Sequence, residues 1–273
     1  MKSAWIVLRE QISNFYLIRR LSIFEIKSEN NNNYLGWLWV IINPLIQIGI
    51  YWLVFGQIIG KKAVMMDGHK VPYILWLISG IFVWFFINPS ITRGSKSIYS
   101  RIRFIAKMKF PMSTIPSYVI FANFYQHLML TGIIIIILQF SDRKLSLYIF
   151  QLPYFMFSTF AFLLSVTLAL STLTTLIRDL QYIVTSVMHM MIYVTPFLWS
   201  PDRLGKMPIL QTLLKLNPMY YIVEGYREAM LGFSWYPVEH GKYTIYFWVI
   251  ILILFIFGST VHVKFRNHFL DYL

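Results

Sequence analysis

The sequence contains no cysteine and few charged residues. Without cysteine, the chain has no disulfide, no reactive thiol and no cysteine-ligated metal site. Charged residues make up 13% of the 273 residues, about half of the share in an ordinary soluble domain. Acidic residues are scarcest, with 11 Asp and Glu against 24 Lys and Arg, whereas hydrophobic residues reach 58%. This composition is typical of a membrane protein.

Long runs without any Asp, Glu, Lys or Arg dominate the sequence. They cover residues 30–60, 71–92, 110–141, 145–177, 180–201 and 243–263. Each is long enough for a helix that crosses roughly 30 Å of hydrocarbon. Strands of a membrane barrel alternate apolar and polar residues, and Ile133–Ile137 does not alternate. We therefore predict an all-α polytopic membrane protein with six transmembrane helices, spanning about 34–58, 71–92, 113–140, 147–176, 180–200 and 243–263.

The remaining residues exclude several classes of protein. They form seven pieces of at most 41 residues, so a soluble catalytic domain of roughly 100 residues does not fit. A nucleic-acid-binding protein can be as basic as this chain, whose formal charge is +13, but it would not contain six uncharged runs. Ion-coupled carriers usually keep charged side chains within the membrane, and these runs hold no carboxylate, lysine or arginine.

Motifs for catalysis are also missing from the sequence. Residues 56–62 superficially resemble a phosphate-binding loop, but the spacing is one residue short and Lys62 stands where Ser or Thr is required. We expect no nucleotide hydrolysis, no cofactor and no metal site in this chain. His127 and His189 lie inside predicted spans, and we interpret both as neutral histidines hydrogen-bonded between helices rather than as proton relays.

Residues 1–29 are too charged to span the membrane but have an amphipathic pattern. On a helical wheel, one side carries the apolar set Trp5, Leu8, Ile12, Phe15, Tyr16, Ile23 and Ile26. The opposite side carries Glu10, Gln11, Asn14, Glu25 and Ser28. This pattern predicts a cytoplasmic interfacial helix. Arg19 lies within the apolar side, where it either extends toward the headgroups or marks a protein contact.

The distribution of positive charge predicts the orientation. With both termini in the cytoplasm, the internal pieces hold 14 Lys and Arg and the external pieces hold 10. The segment 93–109 decides the orientation, because it has six positive residues and no acid. We predict that Ser95–Met108 is helical and ends at Pro111. Its charges form either a solvated face or a docking element for a cytoplasmic partner.

Two connections between spans have distinctive sequences. Arg178-Asp179 alone separates two uncharged runs, which predicts a tight turn with Asp179 as the N-cap of the next helix. The external region 202–241 contains two apolar runs, Met207–Leu216 and Met219–Leu231, that are too short to cross. They are either re-entrant helices or a small extracellular cap. In the second run, Glu224 and Arg227 have the i, i+3 spacing of an ion pair.

Short motifs are spread along almost the whole chain. They include Tyr34-Leu35-Gly36-Trp37-Leu38-Trp39, Asn43-Pro44-Leu45-Ile46-Gln47, Lys107-Met108-Lys109-Phe110-Pro111, Ile177-Arg178-Asp179, Pro196-Phe197-Leu198-Trp199 and Asn217-Pro218-Met219-Tyr220-Tyr221. Together and in this order, they resemble the ABC-2 type permeases of polysaccharide exporters, and are most similar to the permeases that translocate wall teichoic acid.

The resemblance implies a half-transporter in the bacterial cytoplasmic membrane. Two copies of the chain would pair with two copies of a cytoplasmic ABC ATPase, which binds ATP and Mg²⁺. The substrate would be a polymer linked to undecaprenyl diphosphate. Segment 93–111 and the 178–179 turn match the family's ATPase contacts, so the coupling candidates are Lys96, Arg101, Arg103, Lys107, Lys109, Arg178 and Asp179. Region 202–241, with Glu224 and Arg227, matches a pair of re-entrant helices.

Aromatic residues are the candidates for the substrate channel, because sugar and polyol faces stack weakly on aromatic rings. The candidates are Trp37, Trp39, Tyr51, Trp52, Tyr193, Phe197 and Trp199. Trp and Tyr near helix ends are also ordinary interfacial anchors. Two other functions stay open: export of O-antigen, capsule or another ABC-2 substrate, and a membrane enzyme or scaffold that acts on lipid carriers.

Overall fold

The structure, a computed structural model, describes residues 2–30, 34–60, 62–66, 68–102, 111–141, 146–201, 207–267 and 269. In chain order the first elements are α1 (Lys2–Ser13), α2 (Phe15–Asn30), α3 (Trp39–Tyr51), β1 (Ala63–Met66), β2 (His69–Pro72), α4 (Tyr73–Ser95) and α5 (Thr114–Gln139). Then follow α6 (Leu152–Leu176), α7 (Leu180–Val194), α8 (Pro208–Leu216), α9 (Pro218–Leu231), α10 (Tyr236–Glu239) and α11 (Gly241–Phe265). Short 3-10 helices include Gly36–Leu38, Tyr99–Arg101 and Leu147–Gln151.

The uncharged runs fold as helices, because a helix pairs its backbone groups internally where the bilayer offers no water. Within the described residues, five helices are long and apolar enough to cross a membrane: Trp39–Ile58, Tyr73–Ser95, Thr114–Gln139, Leu147–Leu176 and Gly241–Phe265. The first begins later than the predicted residue 34, because the 3-10 helix precedes it. A mostly helical membrane fold is thus confirmed.

The fifth predicted span, over 180–200, is a shorter helix than expected. α7 has 15 residues, or about 22 Å at 1.5 Å per residue, against roughly 30 Å of hydrocarbon. It ends before Thr195, whose backbone is extended with ψ 136°. Pro196 follows directly, and a residue before proline is disfavoured in the α conformation. The rest of the predicted 180–200 span therefore consists of turns.

Helix α4 forms the centre of the bundle and packs against α5, α6, α7 and α9. Phe82, Phe86 and Ile87 are fully buried there. The most extensive helix contact joins α6 and α11. A Cβ on Gly258 of α11 would lie 3.1 Å from the backbone of Ser165 and Ala169. Small residues thus let these two backbones approach closely, as is common in membranes.

The amphipathic segment forms two helices rather than the single predicted one. A single turn residue, Asn14, separates them, and its side-chain Nδ2 donates to the Glu10 carbonyl at 2.8 Å beside its own backbone amide at 3.1 Å. On the polar side, the Glu10 carboxylate accepts from Arg266 at 2.7 Å and also from Ser113, and Glu25 pairs with Arg101. On the apolar side, large side chains including Trp5, Ile12 and Tyr16 are exposed. Membrane binding by this exposed side stays a prediction.

The opposite end of the bundle, which we call the hairpin end, carries β1, β2 and helices α8 to α10. The strands pair antiparallel from Ala63 opposite Pro72 to Met66 opposite His69. Asn217 separates α8 from α9, and its side chain accepts from the Met219 amide at 3.0 Å as the N-cap of α9. α9 ends at Gly232, which adopts a left-handed φ of 76°. Most of α9 is buried, and it packs against α4 and α6.

Candidate functional site

A groove of about 870 Å³ lies between α3, α4 and α5. Trp39, Asn43 and Gln47 of α3 form one wall, at spacings of four residues that place them on one helix face. The other side is formed by Trp84, Phe85, Asn88, Pro89 and Arg93 of α4 and by Gln126 of α5. The groove thus combines aromatic rings, four amide side chains and two prolines with one arginine.

Helix α3, which forms one wall of the groove, packs loosely against the rest of the bundle. In the most apolar stretch of the span Trp39–Ile58, only 11% is buried inside the protein, against 78% in the corresponding stretch of α4. Pro44 lies inside α3, where proline removes one helical hydrogen bond. From Trp52 to Ile58 the helix widens into a π-helix, and the Ile59 amide bonds the Val54 carbonyl at 2.9 Å. Such segments are frequent at functional sites.

The polar atoms of the groove can bind a hydroxylated or anionic ligand. Asn43 and Gln47 are exposed, and each amide both donates and accepts hydrogen bonds. Asn88 Oδ1 is buried, and no hydrogen-bond partner for it exists among the described residues. Arg93 lies toward the end of α4 nearest α1 and α2, where its guanidinium suits phosphate or carboxylate.

A buried arginine joins three parts of the hairpin end. Arg227 of α9 donates to Glu224 at 2.6 Å and to the carbonyls of Pro196 and Phe197 at 2.8 and 3.1 Å. Its guanidinium lies 3.6 Å from the ring centroid of Trp76 in α4. Burial lowers the pKa of Arg227, and the Glu224 carboxylate opposes that shift. The predicted i, i+3 pair is therefore a buried structural contact and not a surface pair.

Aromatic packing surrounds the histidine that lies inside α5. His127 Nε2 is 3.0 Å from the Tyr226 hydroxyl of α9, and the ring stacks on Phe82 and Phe86. This geometry agrees with a histidine hydrogen-bonded between helices. His189 is exposed on α7, so for that residue a hydrogen bond between helices stays a prediction.

The end of α4 is tied directly to the start of α7. Gln181 Oε1 accepts from the Ser95 hydroxyl at 2.7 Å, and its Nε2 donates to the Thr92 carbonyl at 3.0 Å. Lys96 and Arg178 line a cavity of about 620 Å³ beside this contact. Asp179 occupies the N-cap position of α7, but its side chain makes no capping hydrogen bond, which corrects that prediction.

Comparison with known proteins identifies the family. The model of the family described as "ABC-2 type transporter" matches residues 16–231. The chain belongs to the ABC-2 type transporter family. The match covers α2 through α9, including both sides of the groove. The apolar helices and the family together make it a multi-pass inner-membrane permease.

Several curated relatives are transport permeases of low sequence identity. The O-antigen export system permease protein RfbA of Klebsiella pneumoniae is 26% identical over 251 residues, covering 91% of this chain and 92% of the relative. The protein of the same name from Myxococcus xanthus is 22% identical, covering 74% and 75%. The inner membrane transport permease YadH of Escherichia coli K12 is 23% identical, covering 74% and 79%.

The channel candidates of this ABC-2 permease occupy different environments. Trp39 lines the groove, whereas Trp52 and Tyr193 are exposed and Tyr51 is half-buried. Trp199 donates to the Tyr193 carbonyl at 2.7 Å. Trp37 lies in a 3-10 helix, and its side chain is outside the described part. Phe197 is fully buried against Trp84. The prediction that Phe197 lines the channel is therefore wrong in this structure.

The coupling candidates are only partly described. Lys96, Arg101, Arg178 and Asp179 lie at the α1–α2 end of the permease, whereas Arg103, Lys107 and Lys109 are outside the described residues. The predicted helix over 95–108 is not continuous. α4 ends at Ser95, and a turn and the 3-10 helix Tyr99–Arg101 follow.

Sequence reasoning missed the polar wall of the groove. Asn43 and Gln47 lie four residues apart in an uncharged run, and this spacing could have indicated a shared face. Asn88 and Arg93 lie in about the last two turns of α4, on the facing helix. No sequence pattern shows that these two helices face each other.

Proposed function

We propose that this chain is the transmembrane subunit of an exporter that moves a lipid-linked glycopolymer across the cytoplasmic membrane. ATP hydrolysis in a separate partner subunit supplies the energy. The observation that carries the proposal is the groove on α3, where the exposed ring of Trp39 lies beside the amide side chains of Asn43 and Gln47. Aromatic faces bind sugar rings weakly and amides exchange hydrogen bonds with hydroxyls, which suits a polymer that must slide.

The proposed topology has six spans and both termini in the cytoplasm. α7 and the turns that follow it to residue 200 form the fifth crossing in chain order. α1, α2 and Arg101 then lie on the cytoplasmic side, and the hairpin end with α8 to α10 lies outside, with α9 as a re-entrant helix. Burial of α9 among α4, α6 and α11 supports this assignment.

The proposed assembly is a homodimer with two ATPase subunits. Large apolar side chains are exposed along α3 and α7, including Ile46, Ile50, Ile183 and Met190. Lipid or a second copy of the chain would cover these surfaces. At the α1–α2 end, the ATPase would contact the segment 93–111 and the 178–179 turn.

The substrate has two candidate forms. The motif resemblance favours a teichoic acid on undecaprenyl diphosphate, whereas the names of the RfbA relatives favour an O-antigen polysaccharide. Both are lipid-linked polymers, but a teichoic acid carries a phosphate in each repeat. Export of each polymer by the purified complex in liposomes, with ATP and with a non-hydrolysable analogue, separates the two. Failure with both polymers would contradict the proposal.

A charge-reversal variant tests the ATPase contact. In Arg101→Glu/Arg103→Glu we expect loss of ATPase co-purification and of polymer-stimulated ATP hydrolysis. Lys242→Glu is the matched control, because Lys242 is exposed at the hairpin end. If co-purification and stimulated hydrolysis both survive the double reversal, the docking assignment is wrong.

A further inference from the structure

Helix α2 lies against the segment 93–111, which the proposed function assigns to the ATPase contact. α2 packs against α5, the helix that follows this segment. The Glu25 carboxylate of α2 accepts from Nη2 of Arg101, a residue inside the segment. The side chains of Glu25 and Arg101 are 22% and 29% exposed, so solvent reaches the ion pair only in part. The amphipathic part of the chain therefore contacts the described part of the segment directly.

The guanidinium of Arg101 is directed toward its own chain. Besides the bond to Glu25, its Cζ lies 5.4 Å from the ring centroid of Tyr118 in α5, within the range of a cation–π contact. Nη1 donates to the Ser97 carbonyl at 3.4 Å. A guanidinium presents its donors in a rigid planar fork, so a carboxylate and a ring together fix its direction. These contacts hold the 3-10 helix Tyr99–Arg101 against α2 and α5.

α2 and the segment also share a small hydrophobic core that is separate from the main core of the bundle. Ile18 of α2 packs there with Ile98 and Ile102 of the segment, and all three are buried. The other buried members are Ile115, Tyr118 and Val119 of α5 and Phe269, which follows α11. Close-packed side chains transmit displacement to their neighbours. We therefore expect residues 98–102 to move together with α2.

α1 holds the chain just beyond the segment, at the start of α5. The Glu10 carboxylate accepts from the Ser113 hydroxyl and also from Arg266 at 2.7 Å. Gln11 Nε2 donates to the Ser113 carbonyl at 2.8 Å. Ser113 is fully buried. α1 and α2 thus fix the chain on both sides of residues 103–110, which lie outside the described residues.

We infer that Glu25 is a positioning residue for the ATPase contact, because it holds Arg101 and with it the segment 93–111 in the orientation that the ATPase meets. The inference rests on the proposed function and deepens it: α1 and α2 belong to the coupling apparatus and are more than a membrane anchor. Arg101 then acts within its own chain. A direct contact would instead require an acidic side chain of the ATPase to replace Glu25.

A charge exchange between positions 25 and 101 separates these two roles of Arg101. The wild-type chain and the variants Glu25→Arg, Arg101→Glu and Glu25→Arg/Arg101→Glu are placed in lipid nanodiscs. The ABC ATPase that co-purifies with the wild-type chain is titrated onto each, and biolayer interferometry gives the Kd. Each single reversal should weaken binding roughly fivefold, the upper end for one partly exposed ion pair, because like charges then face each other. The exchanged pair should bind within about twofold of wild type.

Two changes on the exposed side of α2 are the matched controls. Lys27→Glu and Ser28→Arg shift the charge in the same directions as the two reversals, and both should bind the ATPase like wild type. If a reversal does not fold, the milder set Glu25→Gln, Arg101→Gln and their combination provides the test. The combination should then lose no more affinity than Arg101→Gln alone, and additive losses would overturn the inference.

The outcomes distinguish this inference from the proposed function. Recovery in the exchanged pair supports the inference, because general damage to the fold would not be repaired by a second reversal. If Glu25→Arg binds normally and the exchanged pair binds as weakly as Arg101→Glu, Arg101 contacts the ATPase directly. The inference would then be wrong while the proposed function stands, and equal affinity in all four chains would have the same meaning. A wild-type chain with which no ATPase co-purifies would contradict the proposed function and the inference with it.

Discussion

Gly80 of α4 allows Arg227 to occupy its buried position. A Cβ built on Gly80 would lie 2.5 Å from Arg227 Nη2, 2.6 Å from Nε and 2.8 Å from Cζ, whereas ordinary contacts begin at 3.4 Å. The Gly80→Ala change therefore requires the guanidinium to move by about 0.9 Å or α4 to retreat by the same distance. The Nη2 bonds to Pro196 and Phe197, now 2.8 and 3.1 Å, would then approach or exceed the hydrogen-bond limit.

The expected loss of stability follows from these contacts. Overpacking a core typically costs about 1–3 kcal/mol, and each weakened hydrogen bond to a charged group is worth about 1.5–3 kcal/mol. Alanine recovers up to about 1 kcal/mol through its helix propensity. We expect a net loss of about 3 kcal/mol, which corresponds to a midpoint roughly 6–12 °C lower for a chain of this size.

Thermal unfolding of the purified chain in detergent, followed by tryptophan fluorescence, measures this change. Gly132→Ala is the matched control, because a Cβ on Gly132 of α5 meets nothing within 4 Å. Its midpoint should stay the same or rise slightly. If Gly80→Ala and Gly132→Ala unfold at the same temperature, the fixed position of the Arg227 guanidinium is wrong.

Three further predictions concern other contacts. Arg227→Leu should lower the free energy of unfolding by about 3–5 kcal/mol, because it leaves Glu224 without its buried partner; a change below about 1 kcal/mol in chemical denaturation would contradict the buried pair. Trp39→Ala should lower polymer export in liposomes while the amount of co-purified ATPase stays constant, and unchanged export would remove Trp39 from the polymer path. Gln181→Ala should leave ATPase binding intact but reduce polymer exported per ATP hydrolysed, because the ties to Ser95 and Thr92 are lost; an unchanged ratio would make Gln181 a purely local contact.

The positions of the helices were predictable from the sequence, but their packing was not. Uncharged runs predict helices because the bilayer leaves the backbone no other partner. The same runs cannot show that α7 ends early, since this end depends on Thr195 and Pro196 within an uncharged stretch. Nor does apolarity indicate which helices are central, because α3 and α4 are both apolar although α3 is mostly exposed and α4 mostly buried.

The candidate site was harder to predict because side-chain environments depend on tertiary contacts. Trp39 and Phe197 were chosen on the same chemical grounds, yet one lines the groove and the other is buried against Trp84. The Glu224–Arg227 spacing predicted an ion pair correctly. Its burial depends on Gly80 and Trp76, more than 140 residues earlier in the chain.

The central claim is that this permease moves a lipid-linked glycopolymer by using ATP hydrolysed in a partner subunit. The most direct test is reconstitution of the permease with its ATPase in liposomes that carry fluorescent lipid-linked polymer, followed by access of an external lectin or antibody to the polymer. We predict that polymer reaches the far leaflet only when ATP and both subunits are present. Movement without ATP or without the ATPase, or no movement with the complete complex, would contradict the claim.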